Sequence, residues 1–137
     1  MQITSHHLQI ATRGKGLYEI TGQIAAWLES AQVRAGLLTV FVPHATAGLV
    51  VVELGAGSES DLMSSLDRLI PRDDRWVHRH GSPGHGADHL VSLLAPPSLT
   101  IPVVGGRLTL GTWQSIALVD PNQDNAVRTV RLAFLPG

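Results

Sequence analysis

Residues 37–53, LLTVFVPHATAGLVVVE, place two apolar runs on either side of a short loop of small residues. Apolar runs of this length that are rich in β-branched side chains are typical of buried strands. Pro43 ends the first run because proline has no backbone N–H to donate, and Gly48 relieves backbone strain where the second run begins. We therefore predict a strand on each side of this loop, which carries His44 and Thr46.

The segments around this strand pair predict one more strand and two helices. Residues 1–12 are short of turn-forming residues and predict a strand. Between 17 and 33 the apolar residues recur at helical spacing, so we predict a helix there. Ser58, followed three residues later by Asp61, indicates the start of a second helix, which Pro71 ends.

The C-terminal half adds mainly strands. We predict a helical face over 87–94, a hairpin around Gly105 and Gly106, and strands over 113–119 and 127–135. Strands and helices mix without the regular βαβ alternation of a parallel sheet, which favours the α+β class. A length of 137 residues fits a single domain over the whole chain.

The composition narrows the classes of function. About 44% of the residues are apolar and none is cysteine, so the chain folds without disulfides, and only histidines and carboxylates remain as good metal ligands. A net charge of −1 gives no support for a nucleic-acid partner. We recognise no signal peptide and no apolar run long enough to span a membrane, so we expect a cytoplasmic location and no membrane partner.

Five of the seven histidines lie between His44 and His89. His78 and His80 share a face if that segment is extended, whereas His85 and His89 share a face if theirs is helical. Either pair suits one metal ion with a third ligand from elsewhere. Histidines in a polar loop are also commonly just solvated, and His44 could simply cap the end of its strand, so the spacing alone leaves both interpretations open.

The motifs along the chain resemble those of one protein family. The run His44-Ala45-Thr46-Ala47-Gly48-Leu49 resembles the opening motif of the YjbQ family, also called the secondary thiamine-phosphate synthase family. The further matches follow in order: Glu53, Asp61, Pro71, His78 after Trp76, His89-Leu90, SLTIPV at 98–103 and LGTWQ at 110–114. The sequence is therefore identified as a member of this family over its whole length.

Three departures from the family pattern fall near the expected pocket. Val52 stands where the family often has asparagine, and His85 stands in a segment where the family often has an amide before the third histidine. Of the family's acidic-Gly-Pro-Arg ending, only Arg128 is in place. Two amide groups are thus missing, and His85 is placed to fill one vacancy.

The resemblance implies a compact α+β domain with a mostly antiparallel sheet in two layers, two to three helices, and assembly as a homotrimer. It implies one pocket with three roles: His44, His78 and His89 as ligands of a divalent metal, Glu53 and Gln114 as catalytic residues, and Thr46, Gly48 and Arg128 as substrate-binding residues. Zinc is the expected metal, with magnesium second. Within LGTWQ we expect Gln114 to face the pocket and Trp113 to be structural, because neighbours on a strand point to opposite faces.

Two functions remain open for such a pocket. In the first, the chain is a small-molecule enzyme with weak thiamine-phosphate synthase-like activity, whose metal acts as a Lewis acid or activates water. In the second, it is a non-catalytic trimer that binds a metal ion or a small phosphorylated or anionic metabolite. An open coordination position with room for a substrate distinguishes the two. In either case we expect loss of His6 or His80 to leave metal binding intact.

Overall fold

The structure, a computed structural model, describes residues 2–137, which form eight strands, three α-helices and one short 3₁₀ helix. The strands are β1 Thr4–Ala11, β2 Gly16–Glu19, β3 Gly36–Phe41, β4 Gly48–Val52, β5 Ser98–Val104, β6 Arg107–Leu108, β7 Ser115–Asp120 and β8 Val127–Pro136. The helices are α1 Thr21–Ser30, α2 Ser58–Leu69, α3 His85–Asp88 and the 3₁₀ helix Val91–Leu93.

The strands form two sheets in which every neighbouring pair is antiparallel. The larger sheet has the order β1-β8-β3-β5-β6, and the smaller sheet has the order β2-β7-β4. Sheets of this kind bury one face in a core and leave the other for helices or solvent. The predicted α+β class, with antiparallel strands in two layers and a few helices, is confirmed.

One apolar core lies between the two sheets and α1. Ile24 and Leu28 of α1 are buried in one cluster with residues of both sheets, among them Leu38 of β3 and Leu118 of β7. Side chains alternate along β7, so Leu118 belongs to this core while its neighbour Val119 packs on the opposite face. The smaller sheet therefore makes apolar contacts on both of its faces.

The helix α2 covers the outer face of the smaller sheet. Leu66 packs against a small cluster around Val119 that also includes Val50, yet no residue of α2 is fully buried. Leu69, in the last turn of α2, is 67% exposed. None of the helices formed by residues 2–137 is long and apolar enough to cross a membrane.

The structure corrects the helix predicted over 17–33, because its first residues belong to a strand. In β2, Leu17 pairs with Val119 of β7, and α1 begins only at Thr21. The apolar spacing is helical in this region, but pairing with a distant strand outweighs such a weak local preference.

Two further elements also differ from the prediction. The helix predicted over 87–94 divides between α3 and the 3₁₀ helix. The strand predicted to begin at Trp113 begins at Ser115, after a turn that includes Gln114. Trp113 and Gln114 therefore do not alternate on a strand, and Trp113 is 73% exposed rather than part of the core.

Candidate metal centre and the polar network around it

Four imidazole rings form a cluster at the end of the polar segment that follows α2. The ring centroids of His78 and His80 are 4.3 Å apart, and that of His78 lies 4.4 Å from that of His89. His85 closes the group, with centroids 4.4 Å from His80 and 4.6 Å from His89. Ligand atoms of His78, His80 and His85 all lie within 4.8 Å of one another, a spacing that suits one metal ion.

Glycine at position 86 brings the two halves of the cluster together. A Cβ on Gly86 would collide with the carbonyl oxygen of His78, so only glycine lets that backbone lie directly against α3. The first turn of α3 then places His85 and His89 on one side, four residues apart. The backbone contact at Gly86 thus fixes the position of His78 relative to this pair.

A buried carboxylate anchors α3 beneath the cluster. Asp88 is fully buried, forms an ion pair with Arg72, and accepts a 2.8 Å hydrogen bond from Asn122 Nδ2. Arg72 also donates to the carbonyl oxygen of Pro83 at 3.1 Å, so it ties the loop before α3 to the helix itself. Because removing one partner of a buried ion pair is costly, these bonds hold α3 firmly in place.

A second carboxylate orients one of the four imidazoles. Asp124 Oδ2 lies 3.3 Å from His85 Nδ1, and His85 Nε2 lies 2.8 Å from His89 Nε2. With the proton of His85 on Nδ1, its Nε2 presents a lone pair to His89, and two facing nitrogens need a proton or a cation between them. Burial, followed by the neighbouring imidazoles of His85, His78 and His80, lowers the pKa of His89, which favours the neutral form that metals bind.

His44 belongs to a different polar group, built around a buried arginine. Arg128 donates to both carboxylate oxygens of Asp120, at 2.8 and 2.9 Å, and to the hydroxyl of Thr46 at 2.8 Å. His44 Nε2 accepts a 3.0 Å hydrogen bond from the backbone N–H of Thr129, which puts the proton of the neutral ring on Nδ1. Burial first, and then the charge of Arg128, lower the pKa of His44.

Asn122 connects the two polar groups. Its backbone N–H donates to Asp120 Oδ1 at 3.0 Å, and its Nδ2 donates to Asp88 at 2.8 Å and to Asp124 at 3.3 Å. A continuous series of hydrogen bonds therefore runs from Arg128 to the imidazole cluster. No motif in the sequence pointed to Asn122. The only signal for it is the concentration of Asp and Asn residues at 120–125, in a chain with few charged residues.

The remaining predicted residues divide between two ends of the smaller sheet. Gly48 pairs with Val119 near the arginine group, whereas Val52 pairs with Ser115 at the opposite end. Four residue steps along a strand span roughly 14 Å. The predicted catalytic residues follow this second end of the sheet, directly after β4 and directly before β7: Glu53 and Gln114.

Thr46 and Gly48, predicted to bind substrate, have structural contacts. Thr46 is the partner of Arg128, and a Cβ on Gly48 would collide with the carbonyl oxygen of Ala95. The structure thus brings His78 and His89 together, adds His80 and His85 to them, and places the other predicted residues outside this cluster. Their roles in binding or catalysis remain predictions.

A polar cleft of about 320 Å³ adjoins the imidazole cluster. Its walls include His80 and His85, residues 81–84, and Asp73 and Arg79. All four histidines of the cluster are at least partly exposed, and His78 and His80 most of all, so a small molecule has access to them.

The two antiparallel sheets and the short helices place the chain among small α+β domains. Its polar site, made up of the imidazole cluster and the buried arginine–aspartate pair, lies at one end of the strands. More specifically, the chain belongs to the family described as UPF0047 protein YjbQ-like, whose family model matches residues 6–137. The resemblance found in the sequence is confirmed.

Several similar proteins align with nearly the whole length of the chain. A UPF0047 protein of Mycobacterium tuberculosis is 52% identical over 130 residues, which are 95% of this chain and 96% of that protein. The crystal structure of a hypothetical protein from Aeropyrum pernix has a TM-score of 0.85 at 33% identity and covers 100% of both chains. A YbjQ-like protein of unknown function from Sulfolobus solfataricus has a TM-score of 0.92 over 99% of both chains, and at 24% identity it shows the shared fold alone.

Proposed function

We propose that this chain is a small-molecule enzyme that holds a divalent cation on its imidazole cluster. The observation that carries the proposal is the convergence of His78, His80, His85 and His89, one of which is oriented by the carboxylate of Asp124. A carboxylate that holds the far nitrogen of an imidazole is the usual outer partner of a metal-binding histidine. An all-nitrogen donor set favours zinc over magnesium, which prefers oxygen ligands.

The geometry supports catalysis because the cluster is open on one side. Three imidazoles satisfy three positions of a tetrahedral zinc ion, and the adjoining cleft leaves room for water or substrate at the fourth. A cation there would polarise a carbonyl or phosphoryl oxygen, or lower the pKa of a bound water.

The specific reaction that we propose to assay is the one that the family resemblance implies. In it the nitrogen of a thiazole phosphate attacks the methylene carbon of a pyrimidine diphosphate, and pyrophosphate leaves with the bonding electrons. A cation on the cluster would neutralise the charge on the leaving pyrophosphate. Thiamine phosphate formed in the presence of zinc, and lost in the His85→Ala variant, would support this activity.

A zinc titration of untagged protein by calorimetry tests the metal site. We expect the wild type to bind one zinc ion per chain, and His85→Ala and His80→Ala to lose most of the affinity because each removes a nitrogen from the cluster. His6→Ala is the matched control, since His6 stacks on Trp27 far along the chain from the cluster. A wild type that binds neither zinc nor nickel would overturn the proposal.

His44→Ala decides between the two sets of ligands. The family resemblance implies that His44 binds the metal, whereas its Nε2 accepts a backbone hydrogen bond in the structure. If the local cluster binds the ion, zinc affinity survives the loss of His44 but not the loss of His80. The reverse result would favour the set predicted from the sequence.

The alternative function is a binding protein without turnover. Cobalt-loaded protein separates the two, because the visible spectrum of cobalt changes when a new ligand enters an open coordination position. A spectrum that shifts on addition of inorganic phosphate supports an open, substrate-accepting site. A spectrum that phosphate leaves unchanged favours storage or binding of the ion alone.

The homotrimer is part of the same proposal. Val77, beside His78, is 100% exposed, and Leu93, on the chain just after His89, is 78% exposed. Trp113, near the opposite end of the smaller sheet, is 73% exposed. Exposed apolar side chains in two different regions of one chain suit a head-to-tail contact that closes into a ring.

A further inference from the structure

A second cleft lies between α1 and the hairpin formed by β5 and β6, with a volume of about 710 Å³. One face of α1 forms its first wall, through residues that recur at helical spacing, Thr21, Ala25 and Leu28, and Gln32 follows just after the helix. The turn of the hairpin, at residues 105–107, forms the second wall. None of its lining residues is a histidine, so the cleft is separate from the imidazole cluster.

The cleft is held open by short side chains and fixed backbone. Ala25 and Thr21 leave space along the helix, and the Thr21 hydroxyl accepts a 2.8 Å hydrogen bond from Ile116 N–H, which fixes its position. On the other wall, the N–H of Gly106 donates to the carbonyl oxygen of Arg34 at 2.7 Å. Since both walls are attached to the core or to each other, the space exists before any ligand arrives.

The lining of the cleft combines an apolar floor with a basic mouth. Leu28 and Leu108 contribute to the floor, while Arg34 and Arg107 stand at the hairpin end. The Gly106–Arg34 hydrogen bond keeps the backbones of the two arginines adjacent, and neither guanidinium forms an ion pair with any of residues 2–137. Glu29 is the single carboxylate of the lining.

We infer that this cleft binds a small amphipathic anion, with an aromatic or alkyl body on the apolar floor and a carboxylate, sulfonate or phosphate head between Arg34 and Arg107. The volume falls in the range of pockets for small organic ligands. Two guanidinium groups without carboxylate partners recognise such a head by charge-assisted hydrogen bonds. The inference does not depend on the metal site.

Two related dyes test the charged and the apolar parts of the cleft separately. Anilinonaphthalene sulfonate carries an anionic head, and phenylnaphthylamine has the same aromatic body without the charge. We expect the double variant Arg34→Gln/Arg107→Gln to bind the sulfonate at least about tenfold more weakly, because it loses one or more charge-assisted hydrogen bonds, and to bind the neutral dye as the wild type does. Ala25→Trp, which fills the space, should abolish fluorescence with both dyes.

Matched controls make the test specific. Arg131→Gln removes an exposed arginine elsewhere and should change neither dye, and Leu69→Gln alters the apolar groove beside α2 and should also change neither. The inference is wrong if Leu69→Gln abolishes sulfonate binding, because the dye then sits on α2. It is equally wrong if the dyes do not bind and Ala25→Trp instead lowers the molar mass in solution, because the cleft is then covered by a second copy of the chain.

Discussion

At the scale of a single residue, His44 makes the stability of the protein depend on pH. Neutral His44 accepts a hydrogen bond from Thr129 N–H, and burial lowers its pKa from 6.5. In the unfolded chain the same imidazole takes up a proton near pH 6.5, so the unfolded state binds more protons as the pH falls. The contribution of His44 to stability is therefore present above this range and is lost as the pH drops below it.

Replacing His44 by glutamine should weaken this pH dependence. The amide oxygen of His44→Gln can still accept the hydrogen bond from Thr129 but takes up no proton. Urea denaturation at about pH 7.5 and about pH 5 should show a smaller loss of unfolding free energy in the variant, by about 1 kcal/mol. His6→Gln serves as the surface control and should behave as the wild type. Equal pH dependence in wild type and His44→Gln would contradict the assignment.

At the scale of an element, the loop between β7 and β8 connects two polar groups through Asn122. These are the group around Arg128 and Asp120, and the carboxylates that support the imidazole cluster. In Asn122→Asp a carboxylate oxygen replaces the donor that faces Asp88 and Asp124, so two hydrogen bonds become repulsive contacts. We expect the free energy of unfolding to fall by about 3 kcal/mol. Zinc affinity should fall by about tenfold or more, because the outer support of the cluster is lost.

The neighbouring variant Gln123→Glu adds the same charge at an exposed position of this loop and should leave both quantities unchanged. Denaturation and calorimetry on the two variants are the measurements. If Asn122→Asp is destabilised but binds zinc with wild-type affinity, the loop supports the fold without supporting the cluster.

Some elements of the fold could be predicted from local sequence patterns, whereas others depend on partners that are distant along the chain. Apolar runs predicted the strands on either side of His44, and the pair Ser58 and Asp61 predicted a helix beginning at Ser58. The structure has these strands and this helix. The strand β2 escaped prediction because its pairing partner is β7, about a hundred residues away along the chain. The role of Asn122 is equally non-local, because it donates a hydrogen bond to Asp88, which lies 34 residues away along the chain.

The site could be predicted only in part for a similar reason. The family resemblance placed His44, His78 and His89 in one pocket; the structure has His78 and His89 adjacent, with ring centroids 4.4 Å apart, whereas His44 lies in the arginine group. The same prediction treated His80 as a bystander, although its ring contacts that of His78. Residue spacing gives no indication that Gly86 lets the backbone of His78 lie against α3, and this contact decides which imidazoles meet.

At the scale of the whole molecule, assembly is expected to depend on the exposed indole of Trp113. If head-to-tail contacts close a ring of three copies, light scattering should give three times the chain mass of 14.6 kDa. Trp113→Ser should then shift the protein toward the monomer, because a large aromatic anchor at an interface carries much of the binding energy. The unfolding free energy of the monomer should change little, since the side chain is 73% exposed.

Ile3→Ser provides the comparison, because Ile3 is 62% exposed and directly precedes β1, far along the chain from Val77, Leu93 and Trp113. A wild type that remains monomeric or dimeric at micromolar concentration would contradict the trimer. Dissociation by Ile3→Ser but not by Trp113→Ser would instead place the contact on the edge of the larger sheet.

The weak burial of α2 has a consequence for how an ion would reach the cluster if the proposed metal site binds one. Because no residue of this helix is fully buried, detaching it exposes little apolar surface and costs much less than opening the sheets. Its C-terminal end leads directly into the segment that carries Arg72 and His78. Transient detachment of α2 would therefore free one side of the imidazole cluster to move while the strands keep their pairing. A bound ion would then exchange at the rate of this local opening rather than at the rate of global unfolding.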